Sequence, residues 1–224
     1  MDEYISFEQL PFGADDFADN PESRCPCMLL LDTSGSMGGE PIRQLNEGIN
    51  TLKMELEIDP LAAKRVEVAM VTFGPVSYES DFQTVDNFFP KQLIANGDTP
   101  IGAAITLGID LVNKRKQLYK ERGVGYYKPW IILITDGAPT DAWSHAAQLI
   151  KDGERENRFA FFAIGVEGAN FDVLRQLSVR QPLKLRGLAF REFFLWLSGS
   201  LKTVSSKNPG ENNKLLPPTG WADL

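Results

Sequence analysis

Hydrophobic positions along this chain change their period at regular intervals, and each change predicts an element. Residues 27–33, "CMLLLDT", are an unbroken apolar run that ends in polar residues, as expected for a strand covered on both faces. The period then shifts to helical: Ile42, Leu45, Ile49, Leu52 and Leu56 recur three or four positions apart, and Pro41 sits where a first helical turn tolerates it. A second apolar strand is predicted at 65–74. The segment 76–82, "VSYESDF", follows after only a Gly-Pro turn, too short for a parallel crossover, so it should pair antiparallel at an edge.

The same alternation continues. A helix is predicted from Thr99-Pro100 to near Gly123, with Ile101, Ala104, Ile105, Gly108 and Val112 on its inner face. "PWIILITDGAPTD" supplies a fourth strand that breaks at Asp136-Gly137, and a helix from Ala142 to Glu156 follows. A strand at 159–166, a short helix at 171–177 and a weak strand at 182–189 come next. The last helix carries Phe190, Phe193, Phe194, Leu197, Leu201 and Val204 on one stripe, leaving Leu195 and Trp196 off it, either covered by the tail, the plainer reading, or forming a contact surface. That tail is rich in Pro, Gly and Asn and reads as irregular, with Trp221 as an anchor. Strands alternating with helices predict an α/β fold: a doubly wound, mostly parallel central sheet with one antiparallel edge strand. The pattern divides the chain into an acidic arm at 1–21, one domain at 22–205 and an irregular tail at 206–224.

Composition narrows the function classes. With 224 residues and 43% hydrophobic positions the chain can bury a sizeable core as one domain. A formal net charge of -7 argues against nucleic acid and anionic membrane as partners. The basic stretch at 113–122 reads as a helix end complementing its dipole. No apolar run reaches the length of a membrane span, and the opening residues lack the basic and apolar regions of a secretory signal. Cys25 and Cys27 lie too close for an unstrained bridge, which suits a reducing, cytoplasmic setting. They could form half of a soft-metal site, but His145 is the only histidine to complete it, so two thiols at a buried strand start are the plainer reading.

Candidate chemistry gathers at strand ends. Open α/β sheets bind ligands beyond the carboxyl ends of their strands, where strand order reverses. Asp32, Ser34 and Ser36 follow the first strand, Asp136 follows the fourth, and Thr99 begins the helix before it. If the two strands are neighbours, one place collects three hydroxyls and two carboxylates. Such oxygen-only ligands suit a hard cation, Mg²⁺ first and Mn²⁺ or Ca²⁺ next. Because the hydroxyls are neutral, the cation would keep enough charge to attract a carboxylate from a partner. Each residue also has a purely structural reading: Asp136-Gly137 as a turn, Thr99 as a helix N-cap.

"DTSGSM" at 32–37, "GDTP" at 97–100 and "ITDGAPTD" at 134–141 resemble the metal-ion-dependent adhesion site of von Willebrand factor type A domains. Asp32, Ser34, Ser36, Thr99 and Asp136 occupy all five positions of that motif. The resemblance implies a Rossmann-like fold and a divalent cation whose coordination is completed by an Asp or Glu of a protein partner. From about Glu22 onward, "RCPCMLLLD", "YYKPWIILITDGAPTD", "FREFFLWLSGSL" and the late "GW" further resemble the bacterial intracellular TerY/YegL-type proteins. That likeness implies a stress or tellurite-resistance setting, beside a kinase and a PP2C-like phosphatase.

Enzymatic readings fare worse. Asp32 could be the aspartyl nucleophile of a metal-dependent phosphohydrolase, but the second carboxylate such enzymes need is replaced by Ser34. Neither serine lies in a G-x-S-x-G elbow, and no G-x-x-x-x-G-K-[ST] phosphate loop is present. A non-enzymatic binding module is therefore expected, with a purely structural metal as the remaining alternative.

Overall fold

The computed structural model describes residues 17, 20–211 and 217–223. Most of the acidic arm, and residues 212–216 of the tail, lie outside the described residues. Seven strands form one sheet: β1 (Cys25–Asp32), β2 (Val66–Phe73), β3 (Val76–Thr84), β4 (Trp130–Thr135), β5 (Ala160–Gly165), β6 (Leu183–Leu185) and β7 (Ala222–Asp223). Their order across the sheet is β3-β2-β1-β4-β5-β6-β7. Every residue of β1, β2, β4 and β5 is buried, as continuous apolar runs require when helices cover both faces. β3 pairs antiparallel with β2 at one edge, as its short connection demands.

Helices α1 (Glu40–Glu57), α2 (Pro60–Arg65), α3 (Ile101–Arg122), α4 (Ser144–Arg155), α5 (Phe171–Leu177) and α6 (Phe190–Ser205) complete the layers. Leu29 and Leu31 of β1 enter one core with the apolar stripes of α1 and α6. Met28 and Leu30 enter the other core, with Ile101, Ile105 and Val112 of α3 and Ala146 and Ile150 of α4. The period of two along β1 thus divides its side chains between two cores. Fully burying each leucine or phenylalanine contributes roughly 1.5–3 kcal/mol.

One expectation needs correcting. The segment 206–224 is not irregular to its end, because Ala222 pairs with Leu185 in a second antiparallel edge. Trp221 is fully buried, 5.0 Å from Phe193 and 5.1 Å from Trp196 between ring centroids. The tail therefore covers Trp196, and a two-residue strand is too short to leave a period in the sequence.

At the amino ends of the strands lies a buried ionic cluster that the sequence did not announce. Glu67, at the start of β2, accepts from Arg24 at 3.1 Å and from Arg115 of α3 at 2.8 Å. The Tyr119 hydroxyl donates to the same carboxylate, and Phe17 lies across the Arg24 and Arg115 guanidinium groups.

Candidate metal centre

At the opposite end, β1 and β4 are parallel neighbours, with Leu31 opposite Ile134. Strand order reverses between them, since β1 connects onward to β2 on its other side. Asp32 and Asp136 therefore leave the sheet side by side, 104 residues apart in the chain, and the site sits in the crevice where open sheets bind ligands.

Ser34, Ser36 and Asp136 form a continuous polar chain. The two serine hydroxyls are 3.0 Å apart, and Ser36 Oγ donates to Asp136 Oδ1 at 2.7 Å. Asp32 lies deeper and is fully buried. Its Oδ1 accepts from the Ser34 amide at 2.8 Å and its Oδ2 from the Thr135 hydroxyl at 2.5 Å. Thr135 is a positioning residue that sequence reasoning missed: it is the last residue of an ordinary β-branched strand, and nothing local marks its hydroxyl. It also accepts from the Gly137 amide at 3.2 Å, which ties the two carboxylate loops together.

Thr99 arrives from a third loop. The Gly35 amide donates to the Gly97 carbonyl at 3.0 Å, and a Cβ added to Gly137 would stand 3.2 Å from Thr99 Oγ1. Gly74 makes this approach possible, since any side chain there would meet the Asn96 carbonyl oxygen at 2.3 Å. The expectation that Thr99 could serve as the N-cap of α3 fails. Asp141 takes that role from 38 and 39 residues away, accepting from the Gly102 and Ala103 amides at 3.0 and 2.8 Å. The Thr99 backbone instead pairs with Thr140 in both directions, which leaves its buried side chain uncommitted to the helix.

Electrostatics match the geometry. Burial holds the Asp32 carboxyl above its ordinary range, opposed by hydrogen bonds from Ser34 and Thr135 and reinforced by the nearby charge of Asp136. Asp136 is raised for the same first reason, opposed by Ser36. Among the described residues, no Lys, Arg or His forms an ion pair with either carboxylate. Two close, desolvated carboxylates and neutral hydroxyls make an oxygen-only donor set that fits a hard divalent cation. No three His, Cys, Asp or Glu side chains gather as ligands among the described residues, so a soft-metal centre gains no support. Cys25 and Cys27 are fully buried in β1, with the Cys25 thiol pushed up to about 12, and His145 is exposed on α4. No helix among the described residues is long and apolar enough to cross a membrane.

The family model described as von Willebrand factor type A domain matches residues 28–186. The collagen alpha-6(VI) chain of Homo sapiens is 26% identical over 166 residues, covering 72% of this chain and 7% of the collagen chain. Inter-alpha-trypsin inhibitor heavy chain H1 of Mesocricetus auratus is 24% identical over 162 residues, covering 68% of this chain and 17% of its own. The chain thus spans a small part of these relatives. Among solved structures, the pilus adhesin SpaC from Lactobacillus rhamnosus GG in its open conformation superposes with a TM-score of 0.65 at 13% identity, covering 81% of this chain and 31% of SpaC. The sheet order, the three-segment motif at the strand-order reversal and the match across most of the chain agree: this chain belongs to the von Willebrand factor type A domain family.

Proposed function

We propose that this chain is a metal-dependent protein-interaction module and not an enzyme. The observation that carries the reading is the union, at one strand-order reversal, of the Ser34–Ser36–Asp136 hydrogen-bonded chain with buried Asp32, no basic side chain among the described residues pairing with either carboxylate. Asp32, Ser34, Ser36, Thr99 and Asp136 would hold the cation, with Mg²⁺ the first choice. Two carboxylates balance a divalent ion only formally, and with hydroxyls as the remaining ligands a bound cation would supply Lewis acidity toward one further oxygen. An Asp or Glu of a partner protein is the matching group. The TerY/YegL-like segments support a cytoplasmic stress or tellurite-resistance setting, beside a kinase and a PP2C-like phosphatase, as the place to seek that partner.

Calorimetric titration with Mg²⁺, paired with capture from a bacterial lysate in Mg²⁺ and in chelator, tests this. Wild-type protein should bind the ion and retain a partner only when it is present; Asp32→Ala should lose both while remaining folded. Capture indifferent to chelator, with a melting temperature that falls on chelation, would instead assign the cation a purely structural role. Phosphatase turnover in Mg²⁺ that Asp32→Ala abolishes would overturn the non-enzymatic reading.

A further inference from the structure

A groove of about 500 Å³ runs beside the candidate metal centre, between α1 and the segment 90–93. Its two walls are continuations of the two loops that bear the site's hydroxyls. Gly39, at its near end, follows Ser36 by three residues, and Leu93, on the other wall, precedes Thr99 by six. The Gly35–Gly97 hydrogen bond joins the walls where they meet the site. Ile42, Ile49 and Leu93 give the groove an apolar lining, the latter two buried.

The 90–93 wall belongs to no strand of the sheet and leaves several backbone amides without a partner among the described residues. The Asn46 side chain takes both the Leu93 amide, at 2.8 Å, and the Leu93 carbonyl, at 3.0 Å, and so pins the wall to α1. The amides of Lys91, Gln92, Ile94 and Ala95 make no hydrogen bond among the described residues. Phe89 and Ile94 flank the wall and are 73% and 80% exposed, unusual for side chains of that size. Lys91 makes no ion pair among the described residues, and Arg43 adds a second cation that Glu40 and Glu47 contact. Glu40 and Glu47 offset Arg43, so Lys91 is left as the rim's unpaired cation among the described residues.

We propose that the groove receives the stretch of the partner that flanks its metal-directed carboxylate: an extended acidic peptide with apolar residues to one side of the Asp or Glu. This rests on the metal-dependent reading above. A chain whose carboxylate points into the site leaves it directly over the mouth of the groove. There, the unpaired amides of Lys91 and Gln92 donate to an extended backbone, Ile42 in the groove and Ile94 beside it meet its apolar side chains, and Lys91 favours further acidic residues. From Gly39 to Asn50 the α1 wall spans roughly 16 Å at 1.5 Å per residue. About five extended residues cover that distance.

The test uses the full chain and immobilised nine-residue peptides with Asp fixed at the centre and the other positions randomised, in Mg²⁺ and in chelator. Wild-type protein should retain peptides enriched in apolar residues on one side of the Asp, only with Mg²⁺. Ile94→Glu and Lys91→Glu should weaken retention about tenfold and flatten the enrichment. Ile58→Glu, 72% exposed but outside the groove, should change neither, and all three sites are exposed enough to leave the fold intact. Retention that needs Mg²⁺ and the central Asp but ignores the flanks and Ile94 overturns the groove and leaves the metal reading standing. Retention indifferent to Mg²⁺ and to the central Asp overturns both. Mg²⁺ binding with no peptide retained overturns the extended-peptide occupant.

Discussion

This sheet buries carboxylates at both ends of its strands and treats them in opposite ways. At the amino ends Glu67 is enclosed by Arg24, Arg115 and Tyr119, so its charge is matched within the chain. At the carboxyl ends, among the described residues, Asp32 and Asp136 accept from neutral donors, the Thr135 and Ser36 hydroxyls and the Ser34 amide. Taking a charge out of water is costly unless it is paired. The first cluster pairs its carboxylate within the chain, whereas the second would be completed by a cation under the proposed reading. A buried charge that the chain itself neutralises therefore belongs to the architecture; one that it leaves unmatched points to function.

The sharpest test of the contrast is Glu67→Ala. It leaves two largely buried guanidinium groups without the carboxylate between them and should cost about 3–5 kcal/mol by denaturant unfolding, with or without Mg²⁺. A loss under 1 kcal/mol would mean that solvent reaches the cluster and that the two ends are not opposites. Asp141→Ala comes next. Losing the cap of α3 should cost about 1 kcal/mol and weaken Mg²⁺ affinity, because Thr99 lies two residues before that helix.

Asp136→Asn should act in the reverse direction, and more weakly. With the unmatched charge gone, the metal-free protein should melt at an equal or higher temperature while calorimetric Mg²⁺ binding is lost. The smallest effect is the pH trend of the metal-free protein. Asp32 and Asp136 are both raised in the folded state, so the stability they contribute is fully present below the ordinary carboxylate range and is lost as pH rises through their raised values. Saturating Mg²⁺, taking the place of the protons, should flatten that trend. Stability that instead rises with pH across this window in metal-free Asp32→Asn/Asp136→Asn protein, and equally in wild type, would show that the pair does not govern it.

Much of this was legible in the sequence because period reports burial. The runs at 27–33 and 130–135 gave their strands, and the helical spacing from Ile42 to Leu56 gave α1. Asp32, Ser34, Ser36, Thr99 and Asp136 were readable as one group, and the structure brings their three loops together. What escaped was non-local. Glu67 alternates with apolar neighbours like any solvent-facing strand residue, and only the fold reveals that Arg24 and Arg115 meet it. Thr99 satisfied the local rule for an N-cap, but Asp141, from the next loop, satisfied it better. β7 is too short for any period, so Trp221 was its one visible trace.

Asp141 also bears on the order in which the domain assembles. The first turn of α3 is tied down by a side chain that arrives only after β4 has docked beside β1. A contact across 38 residues must first overcome loop-closure entropy, so we expect it to be little formed in the folding transition state. Substituting Asp141 should therefore accelerate unfolding and leave the refolding rate almost unchanged, which makes this cap a determinant of the native state's lifetime more than of its speed of formation.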